Sequence, residues 1–525
     1  MKRALFTPPP TQNPRDRLKQ LLPWLGLACG FLLLGLLCFY HLNYGALSDW
    51  DEARHGVSAY EMLRNGEPVV STWQYEPDYW NLKPPLSEWF IMLGYRIFGF
   101  NAWGLRFYSA LSIFLTGLLC TVFIYRHYGR TESVFCLLTI CSFLPLFISH
   151  CARHGDADAL YILCYTGAVL CLCESLPNFR WTYGACLCFS FAFLAKSWHA
   201  GTIALLVLAV LFFTGAFTRM KFHQYLLCTV SALFPAGCWA AARFAKDGTR
   251  FFTTMVSYDL VDRTSQTLEG HSGGVIYYFR VLYQDLDHGV LLLLLTVAAV
   301  GLLQLFRNHH PRAREFFSSD LFVTALAVLL PVLLFTCAKT KLGWYIFCIY
   351  PSAALFAAMA FRSMLEHQPE DFRVGALIIA FAALFSCSVM NVREVVRIPD
   401  QSVSALTTLL ADGTHYEQAH FYIANQDNNS WNGSGWTQAQ VMEAEWLADC
   451  APRSGGISAF AEDPGSYLIA SNARTEDFSA YELICRSEAY SLYHHKTRNQ
   501  LNCNQHICDM QANVVAVASK SRFAV

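Results

Sequence analysis

The stretch DWDEARHGVSAYEMLRNGEPVVSTWQYEPDYWNLKPPLSEW, Asp49–Trp89, decides how the rest of the chain is read. It is charged and rich in aromatics, yet it lies between long apolar runs, Leu21–His41 before it and Ala102–Tyr125 after it. Apolar runs of that length span a bilayer, so the stretch is a polar loop at a membrane surface. Asp49, Asp51, Glu52, Arg54 and His55 crowd its first part. Further on, Lys83 is followed by Pro84 and Pro85, which remove two backbone donors and hold the chain extended. Such a loop presents side chains rather than building a core. A carboxylate there can take the proton of an attacking hydroxyl, and a lysine held nearby can neutralise a departing phosphate. That pairing points to group transfer from a lipid phosphate; the competing reading is a solvated juxtamembrane loop.

Outward from the loop, apolar runs recur at Val134–His150, Ala157–Cys173, Trp181–Ala195, Gly201–Phe217, Tyr225–Ala242, Val290–Phe306, Leu321–Cys337, Trp344–Phe361 and Val374–Met390. With the two flanking runs they predict a polytopic α-helical membrane protein of about 11 to 13 spans, the upper figure counting partial spans such as Leu86–Phe100. Composition agrees: 54% of residues are hydrophobic, 15% are charged and the mean hydropathy is +0.30. A formal net charge of −1 over 525 residues supplies no basic field for nucleic acid, which is set aside as a partner.

Lys2, Arg3, Arg15, Arg17 and Lys19 precede the first run, so the N-terminus is expected in the cytoplasm. Alternate loops then carry simple basic residues: Arg126 and Arg130, Arg180, Arg219 and Lys221, Arg307 to Arg314, Arg362 and Arg373. The opposite loops mix acids, bases, histidines and aromatics, and all fall on the outer face. In HCARHGDADALYIL, Arg153, His154, Asp156 and Asp158 stand at the mouth of the fourth span, where two acids could divide base and orienting roles with Asp51. Helix capping would equally explain an acid there. Lys196, Lys339 and Lys341 are otherwise snorkelling lysines, and Trp198, Trp344 and Tyr345 belt aromatics. A long outer loop adds Tyr258, Asp259, Arg263 and His271.

After Met390 hydropathy drops, and residues 393–525 read as a soluble α/β domain on the outer side, following a membrane domain of residues 1–392 with outer loops 42–101 and 243–289. Strands are expected at Phe421–Ala424, Tyr467–Ala470, Tyr481–Cys485 and Val514–Ala518, helices at Val403–Leu410 and Thr437–Leu447, and a turn-rich loop at Asp427–Gly435. Sixteen of the 20 cysteines lie in or beside spans; Cys450, Cys485, Cys503 and Cys508 lie beyond them and are expected to form at least one disulfide in an oxidising space.

The runs DEARHGVSAYEML, KPPLSEW and FGFNAWGLRF, followed by RHGDADAL, FLAKSWHAG, YDLVDRTSQTLEGHSGGVIYYFRVL and KTKLGWYIFCIYP, resemble the GT-C integral-membrane glycosyltransferases. The likeness is to the branch of lipid A aminoarabinose transferases and protein O-mannosyltransferases, and it covers Leu21 to Met390. It implies a sugar donor linked to a polyprenyl phosphate, a lipid or protein acceptor, membrane lipid as surroundings, and a place in the bacterial inner membrane with the C-terminal domain periplasmic. It implies that Asp51 is the catalytic acid, that Asp156 or Asp158 is the second, and that Lys83, Arg263 and Tyr345 lie near the donor phosphate. Arg54, Glu52, Lys196, His271 and Lys341 are further donor-binding candidates in the same loops, whereas Asp49 is assigned no role. No cofactor or metal ligand is implied, and assistance by a divalent metal is left open. Leu82 stands where the aminoarabinose branch has Glu, and His55 where a Tyr is common, which leaves sugar and acceptor unassigned. A transporter would place its ionisable groups near the bilayer midplane, and an envelope assembly protein would need only an anchor; the loops fit neither well.

Overall fold

The computed structural model describes residues 14–267, 271–401, 404–424 and 435–496. The chain divides into two compact units. One comprises Met1–Gly45, Met62–Ser71 and Pro77–Asp400; the other comprises Ala46–Glu61, Thr72–Glu76 and Gln401–Val525.

In the first unit, eight helices among the described residues are long and apolar enough to cross a membrane: Leu21–Phe39, Ala102–His127, Asp158–Ser175, Trp181–Phe213, Phe222–Asp247, His288–His309, Asp320–Cys337 and Glu370–Val396. The shorter Ile349–Leu365 is also apolar. One expected span is divided. Val134–His150 is a buried helix Arg130–Ser142 followed by one turn, Pro145–Ile148, because Pro145 has no amide to continue the first ladder. The runs at Trp181 and Gly201 form two helices, Trp181–Lys196 and Gly201–Phe213, separated by a 3₁₀ turn at Ser197–Ala200 whose first residue has φ 53°. Small residues let helices close on one another, as expected where packing rather than water exclusion drives association. A side chain at Gly94 would meet the Gly104 carbonyl at 2.1 Å, and one at Gly301 would meet the Ala360 carbonyl at 2.2 Å.

Two buried arginines complete the end of the helix Pro14–Phe39. Arg153 donates to the Tyr40 and His41 carbonyls at 2.7 and 2.6 Å, and Arg106 to the Leu42 and Tyr44 carbonyls at 3.2 and 2.8 Å. These carbonyls lie in the turn just past Phe39, so both guanidinium groups anchor that turn.

The second unit is α/β. Strands β1 (His420–Ala424), β2 (Ala451–Pro452), β3 (Tyr467–Ser471), β4 (Glu482–Arg486) and β5 (Tyr490–His494) form one sheet in the order β2-β1-β3-β5-β4. β1 is parallel to β2 and β3, while β5 is antiparallel to β3 and β4. The helices Ala405–Leu409 and Gln438–Ala448 lie where the periodicity expects them. β5 was not expected. Tyr422, Ala424, Phe460, Leu468 and Ala470 pack a small core. Among the described residues Cys450 and Cys485 form no disulfide, and their thiols donate to the Ala444 and Leu409 carbonyls. Cys503, Cys508, the expected strand at Val514 and nearly all of the Asp427–Gly435 loop lie outside the described residues.

Candidate active site

The polar groups of the first unit converge where the helices Asp158–Ser175 and Trp181–Lys196 each present one end. Asp158, first residue of its helix, accepts from Lys196, last residue of the other, in an ion pair whose partners are 3% and 4% exposed. Asp158 is therefore not a helix cap, and Lys196 does not snorkel. The Lys196 ammonium lies 5.7 Å from the centre of the Tyr345 ring, a cation–π arrangement. Tyr345 is buried, packs edge-on against His199 and receives Arg263 Nη1 at its hydroxyl at 3.4 Å. Arg263 Nε donates to Asp259 Oδ1 at 2.9 Å, from a segment Met255–Asp262 wound as a π-helix, a winding frequent at functional sites. Asp158, Lys196, Tyr345 and Arg263 thus form one continuous acid–base chain.

Asp156 stands beside this chain. Burial alone would raise its carboxyl, but the hydrogen bond and charge of His150, with the charges of Lys196 and Lys83, outweigh it and hold the group below the usual carboxylate range. His150 Nδ1 lies 2.6 Å from Asp156 Oδ2, while the imidazole stacks on Trp344 with ring centres 3.8 Å apart. The His150 backbone is left-handed, φ 51°, an uncommon conformation for a residue with a Cβ. Tyr108 fixes the same turn by donating to the Asp156 carbonyl at 2.7 Å. His150 and Asp156 are the groups here that offer a nitrogen and an oxygen to a divalent ion.

Lys83 follows an Asx turn in which Asp78 Oδ1 receives the Trp80 and Asn81 amides at 2.8 and 3.2 Å. Pro85 then ends the loop at the start of the helix Leu86–Phe98. Lys341 is buried and donates to the Ala338 carbonyl, and its amide donates to the His271 carbonyl at 3.3 Å; the His271 side chain is exposed.

Asp51, Glu52 and Arg54 belong to the second unit, on the helix Asp51–Asn65. Glu52 Oε2 accepts the Ser48 amide at 2.8 Å, tying the helix start to the turn before it. The Arg54 guanidinium lies over the Trp73 ring at 4.3 Å.

Sequence reasoning passed over His150, His199 and Trp344 as site groups. Trp344 stacks on His150, and His199 Nε2 is buried with no hydrogen-bond partner among the described residues. A histidine six positions before Asp156 was the available signal for His150.

The profile of the dolichyl-phosphate-mannose-protein mannosyltransferase family matches residues 82–239. The undecaprenyl phosphate-alpha-4-amino-4-deoxy-L-arabinose arabinosyl transferase 2 of Pseudomonas fluorescens is 37% identical over 121 residues, 22% of this chain and 21% of that protein. The corresponding transferase of Yersinia pestis is 29% identical over 351 residues, 64% of this chain and 58% of that one. The match thus spans less than two thirds of either relative. The crystal structure of ArnT from Cupriavidus metallidurans bound to undecaprenyl phosphate superposes with a TM-score of 0.63 at 14% identity, covering 91% of this chain and 98% of that one. The expectation drawn from the loop motifs holds: the chain has the GT-C membrane glycosyltransferase fold and resembles the aminoarabinose transferases and protein mannosyltransferases in sequence.

Proposed function

We propose that the protein transfers a sugar from a polyprenyl-phosphate-linked donor to a hydroxyl or phosphate of a lipid, glycan or protein acceptor, at the outer face of the bacterial inner membrane. The observation that supports this most is the buried chain Asp158–Lys196–Tyr345–Arg263 beside an ionised Asp156. Cations with their own buried counter-ions are preorganised and need no rearrangement as charge develops.

In this reading the acceptor oxygen attacks the anomeric carbon from the face opposite the phosphate, so the anomeric configuration inverts. The carbon–oxygen bond to phosphate breaks, and its electron pair leaves with the polyprenyl phosphate. The donor phosphodiester carries one negative charge and the leaving monoester tends to two, so Lys83, Lys196, Arg263 and the Tyr345 hydroxyl stabilise the transition state more than the ground state. Asp51 takes the proton of a hydroxyl acceptor, whereas a phosphate acceptor attacks as its anion. Asp156, oriented by His150, orients the sugar or acceptor. Glu52 and Arg54 act through the helix that carries Asp51, and Lys341 through the backbone of the loop carrying His271.

The test is transfer by purified protein from synthetic polyprenyl-phosphate sugars to lipid A and peptide acceptors, read by mass spectrometry of the products. A sugar-dependent mass gain that disappears in Lys83→Ala is expected. No gain with any donor, in protein shown to bind polyprenyl phosphate, overturns the reading.

A further inference from the structure

The second unit holds the helix Asp51–Asn65 at two points. Just before the helix, Asp49 Oδ1 accepts the Ala439 amide at 2.8 Å, in the first turn of Gln438–Ala448, where unpaired amides and the helix dipole favour an acid. Toward the other end, the Tyr60 hydroxyl donates to Asp449 Oδ1 at 2.7 Å, one residue past the same helix. The intervals match: 49 to 60 and 439 to 449 correspond to about 16 and about 15 Å of helix at about 1.5 Å per residue. The two helices therefore run side by side in the same direction, fastened near both ends.

Glu445 lies between the fastenings and Glu61 directly follows Tyr60; both are fully buried, and none of their four carboxyl oxygens has a hydrogen-bond partner of ordinary geometry among the described residues. The two carboxyls face one another. Ionised carboxylates only accept hydrogen bonds, so this contact closes only while one of them carries a proton. The groups around the pair are the Thr72, Tyr60 and Tyr75 hydroxyls, the Gln74 and Tyr75 amides, the Asp449 carboxylate and the Cys450 thiol. Arg453 caps the adjoining turn by donating to the Gln74 carbonyl at 2.9 Å, and Glu443, bound by the Ser404 hydroxyl at 2.7 Å, faces Asp49 at the other end. Burial pushes Glu61 up to about 7 and Glu445 well above the usual range, the latter also through the charge of Glu61.

We propose that Gln438–Ala448 and Asp449 are positioning elements of the transfer reaction: they fix the helix that starts at Asp51, and the facing carboxyls of Glu61 and Glu445 make that hold depend on a bound proton. The proposal rests on Asp51 as the base. A carboxyl pair with raised folded values supports the packed arrangement below about pH 4.5, where it is protonated folded or unfolded, and loses that support as pH rises through about 7. Transfer should therefore weaken on the alkaline side without loss of donor.

The test uses the full-length protein in detergent or vesicles, with kcat measured from about pH 6 to about pH 9 and polyprenyl phosphate affinity measured beside it. Wild type is expected to lose about 5-fold or more in kcat above about pH 7. Glu445→Gln keeps a neutral donor opposite Glu61 and should flatten that limb. Tyr60→Phe and Asp49→Ala should each lower kcat about 3-fold or more while polyprenyl phosphate affinity stays within about 2-fold, and Asp49→Asn, which retains the acceptor oxygen, should restore it. An unchanged alkaline fall in Glu445→Gln, or wild-type kcat in Tyr60→Phe and Asp49→Ala, overturns the proposal. An inactive Asp51→Asn alongside such wild-type rates would leave the base in place and remove only the positioning role; an Asp51→Asn at wild-type rate would remove the base as well.

Discussion

Lys196 and Asp158, 38 positions apart, meet as the last residue of one helix and the first of another, in a buried ion pair. Removing one partner strands the other charge in a low-dielectric site. Lys196→Ala or Asp158→Ala should each cost about 3 to 5 kcal/mol, and the double variant should recover part of that loss. Thermal unfolding of the purified protein in detergent checks it; additive losses would show that the two charges are not coupled.

Asp51→Asn keeps size and most hydrogen bonds but cannot take a proton. Transfer is expected to fall about 10²-fold or more while polyprenyl phosphate binding persists. Folded Asp51→Asn protein working at the wild-type rate would pass the role of base to Asp156 or Asp158.

Lys83→Ala should weaken donor capture as well as turnover, because a phosphate is already charged in the ground state. Binding of polyprenyl phosphate, measured by titration, separates the two effects. Unchanged affinity would place Lys83 away from the phosphate.

His150→Ala removes both the Asp156 hydrogen bond and the Trp344 stack. A loss of about 10-fold or more in kcat is expected, with His150→Gln, which keeps a donor but not the ring, falling between. Equal activity of all three proteins would show that Asp156 needs no orientation.

Reporter fusions at Asn308 and Gln401 should report opposite sides of the membrane, cytoplasmic for the first, since the simple basic loops share a side with Asn308. The same side for both would reverse the expected orientation of the mixed loops.

Local signals were legible in the sequence. Apolar length gave the long helices, the paired prolines gave the break after Lys83, and alternation gave β1, β3 and β4. What stayed hidden was partnership between distant residues. Nothing near Asp49 announces that its carboxylate receives the Ala439 amide, 390 positions away, so the residue without an implied role has a structural one. Lys196 reads locally like any lysine at a span end, because snorkelling and buried pairing share one sequence pattern. β5, YSLYH, alternates only weakly and sits among histidines, and its pairing with β3 is what makes it a strand. Val134–His150 is apolar throughout, and hydropathy alone passed over the proline that divides it.

The arginine contacts at the end of the first helix bear on biogenesis. The Leu42 and Tyr44 carbonyls receive Arg106, and those of Tyr40 and His41 receive Arg153. Both guanidinium groups are synthesised well after the helix they complete. A nascent chain carrying only the first span therefore has carbonyls awaiting donors, and the first helix is locked only once Arg106 and Arg153 have followed it. Chains truncated before Arg153 should be open to quality-control proteases at this junction, and slightly longer ones protected.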